Sequence, residues 1–144
     1  MNELSRVTRL LGGKAVLGTE LRSATQVIEM IKRGVPVGAF AALTRALDLS
    51  AIEMAKVAGI AQRTIARRAG EARLKVEESN RLYRIASVTA LAEEVFGGIE
   101  AARAWLRQPN RALGGVTPLA MIETDIGNDE VRNVLGRIVY GVIS

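Results

Sequence analysis

The chain has 144 residues, 49% of them apolar and only 3% aromatic, and a formal net charge of +5. That length suffices for one or two small domains with a real core, and the core must be aliphatic. With no cysteine and no histidine, there is no disulfide framework or thiolate, and the commonest general base and zinc ligand are missing. No catalytic residue, metal or cofactor is therefore expected. Glu3, Arg6 and Arg9 break up any secretory pattern, and no apolar run approaches the ~20 residues that span a bilayer. The expected protein is soluble and cytoplasmic, with no membrane partner.

In chain order, Met1 to about Val37 has helical spacing, with Val27, Ile28, Met30 and Ile31 ahead of the breaker Gly34-Val35-Pro36. Gly12-Gly13 and Gly18 interrupt it. The segment reads as a helical arm (1–37) whose apolar residues need company, from a second copy in a homodimer or from the core of the same chain. Phe40, Leu43 and Leu47 lie on one helix face. Ser50 ahead of Ala51, with Glu53 three residues on, is a capping-box pattern; the helix it starts stops at Gly59, and another runs from about Ala61 to Ala69. Val76 to Phe96 is one long amphipathic helix by the spacing of Leu82, Ile85, Val88 or Thr89, Leu91 or Ala92, and Val95, ending at the glycine stop Gly97-Gly98. That pair is the expected domain boundary. Ile99 to Leu106 is a short helix, Thr117-Pro118 caps and opens another that closes near Gly127, and Asn128 is the expected cap of the last helix. No period-two alternation is long enough for a strand, so the fold class is all-α.

The segment from Ala51 to Arg68 fits a helix-turn-helix. Crossing helices need a small residue where their backbones approach, which is Ala55, and the turn four residues later needs positive φ, which Gly59 supplies. Ile60 and Ile65 then anchor the second helix. That helix carries Gln62, Arg63, Thr64, Arg67 and Arg68 with no acid among them. Arg grips guanine and Gln grips adenine with paired bonds in the major groove, so Gln62, Arg63 and Arg67 are the candidates for base readout. Thr64, Arg68, Arg73 and Lys75 suit phosphate contact. Few aromatics argue against single-stranded nucleic acid, which leaves double-stranded DNA. Charge agrees: residues 1–90 carry 15 Lys/Arg against 8 Asp/Glu, and residues 91–144 carry 5 against 7.

The C-terminal third reads Ala104-Trp105-Leu106-Arg107-Gln108-Pro109-Asn110, then Leu113-Gly114-Gly115, Thr117-Pro118-Leu119, Glu123-Thr124-Asp125-Ile126-Gly127 and Val131. It finishes Leu135-Gly136-Arg137-Ile138-Val139-Tyr140-Gly141-Val142. With Thr64-Ile65-Ala66-Arg67-Arg68, Leu74, Glu78-Ser79, Arg81-Leu82 and Val95-Phe96-Gly97 upstream, this resembles the Xre/MbcA/ParS antitoxin family, Xre branch, over residues 40–144. Arg68 departs from the pattern, standing where a generic helix-turn-helix has an apolar residue, so its role is either structural or a phosphate contact.

The resemblance implies a helix-turn-helix DNA-binding domain (38–97) followed by a small helical toxin-binding domain (98–144). It implies an antitoxin that covers the NAD pocket of a RES-domain toxin, assembles with it as a hetero-oligomer, forms dimers, and represses its own promoter by binding operator DNA. The candidate toxin-binding residues are Thr124, Asn128, Val131, Arg132, Leu135, Arg137, Ile138, Tyr140 and Ser144, although Val131, Val134, Leu135, Ile138 and Val142 also suit an ordinary core helix. Trp105 reads as a core anchor. The alternative is a stand-alone transcription regulator whose C-terminal part only dimerises or binds a small ligand.

Overall fold

The computed structural model describes residues 1–68 and 73–141, with the side chain of Arg68 outside the description. Among these residues the chain runs as α1 (Glu3–Leu10), α2 (Gly13–Leu17), α3 (Ala24–Arg33), α4 (Val37–Ala46), α5 (Ala51–Ala58), α6 (Gln62–Arg68) and α7 (Val76–Phe96). It continues through α8 (Ile99–Leu106), a 3₁₀ turn (Arg111–Leu113), α9 (Pro118–Met121) and α10 (Asp125–Val139). The fold is all-α. The single extended pairing among the described residues is an isolated antiparallel bridge between Pro36 and Arg73.

Side-chain caps set several helix starts by satisfying orphan backbone N–H groups. Asn2 accepts from the Ser5 amide, Ser23 from the Gln26 amide, and Thr117 caps α9 ahead of Pro118. The start of α10 differs from the sequence reading. Its cap is Thr124, whose Oγ1 accepts from the Gly127 amide at 3.0 Å, and Asn128 lies inside the helix. Gly127 looked like a stop, but it is there for proximity: a Cβ would overlap the carbonyl oxygen of Met121. Glycine lets the backbones of α9 and α10 meet.

Helix α7 is the axis. It packs against α1, α3, α5, α8 and α10. Its bounds match the expected ones, but it is not simply amphipathic. Leu82, Ile85, Ala86, Ser87, Val88, Thr89, Ala90 and Ala92 are all buried, on more than one face. Of the two sources of company open to the N-terminal segment, the same chain's core takes Val7, Leu10 and Leu11 of α1 and its cap. Apolar side chains from both sides of Gly97-Gly98 join that one cluster, Leu43 and Leu47 with Leu106, Val131 and Leu135. Trp105 stacks on Phe96, ring centroids 5.3 Å apart.

Polar ties run across the packing. The buried Glu93 of α7, 4% exposed, pairs with Arg9 of α1. Arg132 of α10 donates to Ser87 Oγ at 2.8 Å and to Glu3 Oε1 at 3.1 Å, while Ser87 donates to the other Glu3 oxygen at 3.3 Å. Three helices far apart in sequence meet in that knot. Beside it, burial, reinforced by the Glu3 charge, pushes the Tyr83 phenol up, so it stays neutral.

Two stability predictions follow from this packing. Gly127→Ala should lower the unfolding free energy by about 1–3 kcal/mol, the cost of forcing an extra methyl into a packed contact, measured by urea denaturation. Arg9→Met should cost about 1–3 kcal/mol by leaving a buried carboxylate unpaired. Adding Glu93→Leu should recover most of that loss, since an ion pair replaced by apolar groups is often neutral.

Candidate functional site

The helix-turn-helix is built from α5 upward. Ser50 Oγ accepts from the Glu53 amide at 3.1 Å and the Glu53 carboxylate accepts from the Ser50 amide at 2.9 Å, the capping box expected from the sequence. The Ser50 backbone N–H foremost, and then the Ser50 hydroxyl, hold the Glu53 carboxyl below the usual carboxylate range, with a smaller contribution from the nearby Arg107. At the far end Gly59 adopts φ 67°, a left-handed conformation that strains any residue with a Cβ. The Ile60 amide bonds back to the Ala55 carbonyl at 2.9 Å. Ala55 and Ile60 are buried, and Ile65 is half-buried against the same core. From α7, Arg81 donates to the Gly59 carbonyl at 3.1 Å, fixing the turn to the axis of the fold.

This places Gln62, Arg63 and Arg67 of α6 in solvent, with Thr64 half-buried. The Arg68 side chain lies outside the described residues. Arg73 and Lys75 are exposed on the segment entering α7. Arg73 is not wholly free for phosphate: its Nη1 donates to the Gly34 carbonyl at 2.8 Å, leaving its remaining N–H groups. Lys75 holds the cap position of α7, where its amide donates to Glu78 at 2.8 Å; a lysine side chain has no acceptor to cap with.

The C-terminal candidates divide. Val131 and Leu135 are 0% exposed and Asn128 is buried, so they pack this chain's own core and cannot meet a partner. This corrects their assignment as contact residues; the apolar face of α10 is consumed by α7 and α9. Arg132 is occupied with Glu3 and Ser87, and Thr124 serves as the cap of α10. Arg137, Ile138 and Tyr140 remain at the outer surface, Tyr140 83% exposed. Ser144 lies outside the described residues.

The sequence reading missed Asn133 and Gly136, which with Arg132, Arg137 and Tyr140 line a depression of about 340 Å³. It also missed Val139 and Ile126, the latter 79% exposed. The spacing 133, 136, 137, 140 was a findable signal, the opposite stripe of the helix to Val131 and Leu135.

A short helix, a left-handed glycine turn and a second helix with an exposed basic face define a helix-turn-helix protein, here sharing its core with a helical C-terminal unit. The chain matches the Antitoxin Xre-like helix-turn-helix domain over residues 26–87 and the Antitoxin Xre/MbcA/ParS C-terminal toxin-binding domain over residues 91–141. It is 36% identical over 94 residues to an Antitoxin Xre of Photorhabdus laumondii, an alignment that spans 64% of this chain and 64% of that relative. It is 30% identical over 130 residues to an Antitoxin Xre of Yersinia enterocolitica, covering 89% of this chain and 88% of the relative. Among solved structures it shares its fold with a chain of the M. tuberculosis MbcT-MbcA toxin-antitoxin complex, with a TM-score of 0.54 at 20% identity over 86% of this chain and 100% of that one. The chain belongs to the Xre/MbcA/ParS antitoxin family. The helix-turn-helix match begins at residue 26, so it takes in most of α3, which the sequence reading had placed in the N-terminal arm.

The cap of α5 should respond to acid with a definite sign. Because the folded Glu53 carboxyl titrates below its unfolded value, its stabilisation is fully present above the ordinary carboxylate pKa and is lost as pH falls through the lowered one. A carboxyl-detected NMR titration should show Glu53 titrating below the ordinary carboxylate range, and Ser50→Ala should return it only part of the way, because alanine keeps the backbone N–H that contributes most.

Proposed function

We propose that the protein is the antitoxin of a type II toxin–antitoxin pair, which binds and blocks a RES-domain, NAD-consuming toxin and represses its own operon by binding promoter DNA. The observation that carries this reading is the presence of both domain matches in one short chain, at residues 26–87 and 91–141. The relatives named Antitoxin Xre support the antitoxin role, and the RES-type toxin is what the resemblance to the Xre branch implies.

In this reading α6 enters the major groove, with Gln62, Arg63 and Arg67 at the base edges and Thr64, Arg73 and Lys75 towards phosphate. The toxin is met by the exposed end of α10, where Arg137, Ile138 and Tyr140 stand clear of the core. A toxin that holds a dinucleotide needs cationic groups for its phosphates. Glu123, Asp129 and Glu130 are exposed and would steer the antitoxin towards them. Asp125 contributes less, because it is paired with Arg84.

Co-expression with the toxin-like gene beside this one, scored by growth, tests the reading. The full chain should rescue growth, and Ile138→Asp with Tyr140→Asp should lose protection while keeping its helicity. Undiminished protection by that variant would take the end of α10 out of the mechanism, and no rescue by the full chain would remove the antitoxin reading. For DNA, Arg67→Ala should cost about 1–3 kcal/mol of operator binding and relax specificity at one base pair. A loss that is uniform across operator variants would make Arg67 a phosphate contact.

A further inference from the structure

The segment that enters α7 is pinned to the end of α3 by three hydrogen bonds, one of them part of a short antiparallel bridge. The Leu74 amide donates to the Val35 carbonyl at 2.8 Å, and the Val35 amide donates to the buried Ser79 Oγ at 2.8 Å. Arg73 Nη1 donates to the Gly34 carbonyl, and Pro36 and Arg73 form the antiparallel bridge. Gly34 has φ 87°, and a Cβ there would overlap the Leu74 carbonyl oxygen, so only glycine permits the tie. Arg33, the last residue of α3, is thereby held beside Arg73, and Lys32 precedes it in the last turn of that helix. Arg33 and Arg73 line one cleft of about 190 Å³ with Pro36 between them. Lys32, Arg33, Arg73 and Lys75 are all exposed.

The tie is also close to the recognition helix. Five residue steps separate Arg68 from Arg73, and a chain covers at most about 3.6 Å per step, so the two Cα atoms lie within roughly 18 Å. That is comparable to the ~12 Å width of the major groove, whose walls are phosphates. A helix seated in the groove therefore has the tie within reach of a flanking backbone. Glu29 lines the same cleft as Arg33 and Arg73 and offsets one of their two charges, while Lys32 and Lys75 are exposed outside it.

We propose that the tie between α3 and the start of α7 is a second contact with double-stranded DNA, in which Lys32 and Arg33 join Arg73 on the phosphates flanking the groove that α6 occupies. This rests on the helix-turn-helix reading. Arg73 is held by Gly34 through one nitrogen, and its other N–H groups point the way for a pre-oriented phosphate grip. The contact adds affinity and register without reading sequence.

The test is the salt dependence of binding by the full chain to two duplexes, the DNA directly upstream of its own coding sequence and a shuffled version, read by fluorescence anisotropy across a potassium chloride series. Each lost phosphate contact should lower the slope of log K against log salt by about 0.9. Arg33→Ala should therefore reduce the slope by about that amount, and Lys32→Ala with Arg33→Ala by up to twice as much, equally on both duplexes. Arg111→Ala, an exposed cation in the C-terminal third, should leave it unchanged. Because Lys32 and Arg33 are exposed, circular dichroism of the variants should match the parent. Slopes equal to the parent's, with the parent binding DNA, would overturn the second contact and leave the helix-turn-helix reading standing. A slope change matched by Arg111→Ala would also overturn it, as an effect of net charge. If the parent bound neither duplex, the DNA-binding reading itself would fall, and this inference with it.

Discussion

The fold depends on α7 being enclosed by other helices on several sides at once. A helix packed that way cannot rely on one apolar stripe. It needs small residues where neighbours approach and a partner for each polar group taken from water. Ala86, Ala90 and Ala92 supply the first. For the second, Thr89 bonds the Ile85 carbonyl, Ser79 receives the Val35 amide, Ser87 joins Glu3 and Arg132, and Glu93 pairs with Arg9. The bonds that leave α7, from Ser79, Ser87 and Glu93, also fix neighbouring elements at one height along the axis.

That arrangement leaves the two functional halves without separate cores. Arg81 holds the helix-turn-helix turn through the Gly59 carbonyl, and one helical turn along, Arg84 pairs with Asp125 at the start of α10. Arg103 of α8 and its cap residue Arg107 donate to the carbonyls of Ala46 and Asp48, at and just past the end of α4, at 3.0 and 2.8 Å. Cations are favoured at a helix C-terminus, where carbonyls lack partners. The same axis that positions α6 therefore also positions α10.

Local chemistry was legible in the sequence. The Ser50–Glu53 box, the glycine turn at Gly59, the stop at Gly97 and the Thr117-Pro118 start all depend on residues within a few positions of one another, and all are present. The α10 start was misread because Gly127 has two possible meanings, and only the nearness of Met121 selects between them. Val131 and Leu135 were offered to a partner because a buried stripe and a docking stripe have the same spacing; what covers the stripe is a tertiary fact. The Glu3–Ser87–Arg132 knot had no local signal at all. Within the candidate DNA surface, α6 was legible from its run of cations, while Lys32 and Arg33 were hidden by lying outside the motif.

The knot also bears on how the chain is made. Glu3 and Arg132 are 129 positions apart. At about 5–20 residues per second, synthesis of the intervening stretch takes on the order of ten seconds. During that interval α1 can rest on α7 once residues 76–96 have emerged, but the Glu3 carboxylate still lacks the Arg132 guanidinium that it meets in the finished fold. Completion of the tertiary structure is thus timed by the arrival of α10, and a ribosome stalled in the last quarter of the message would hold a helix-turn-helix whose shared core is still unfinished.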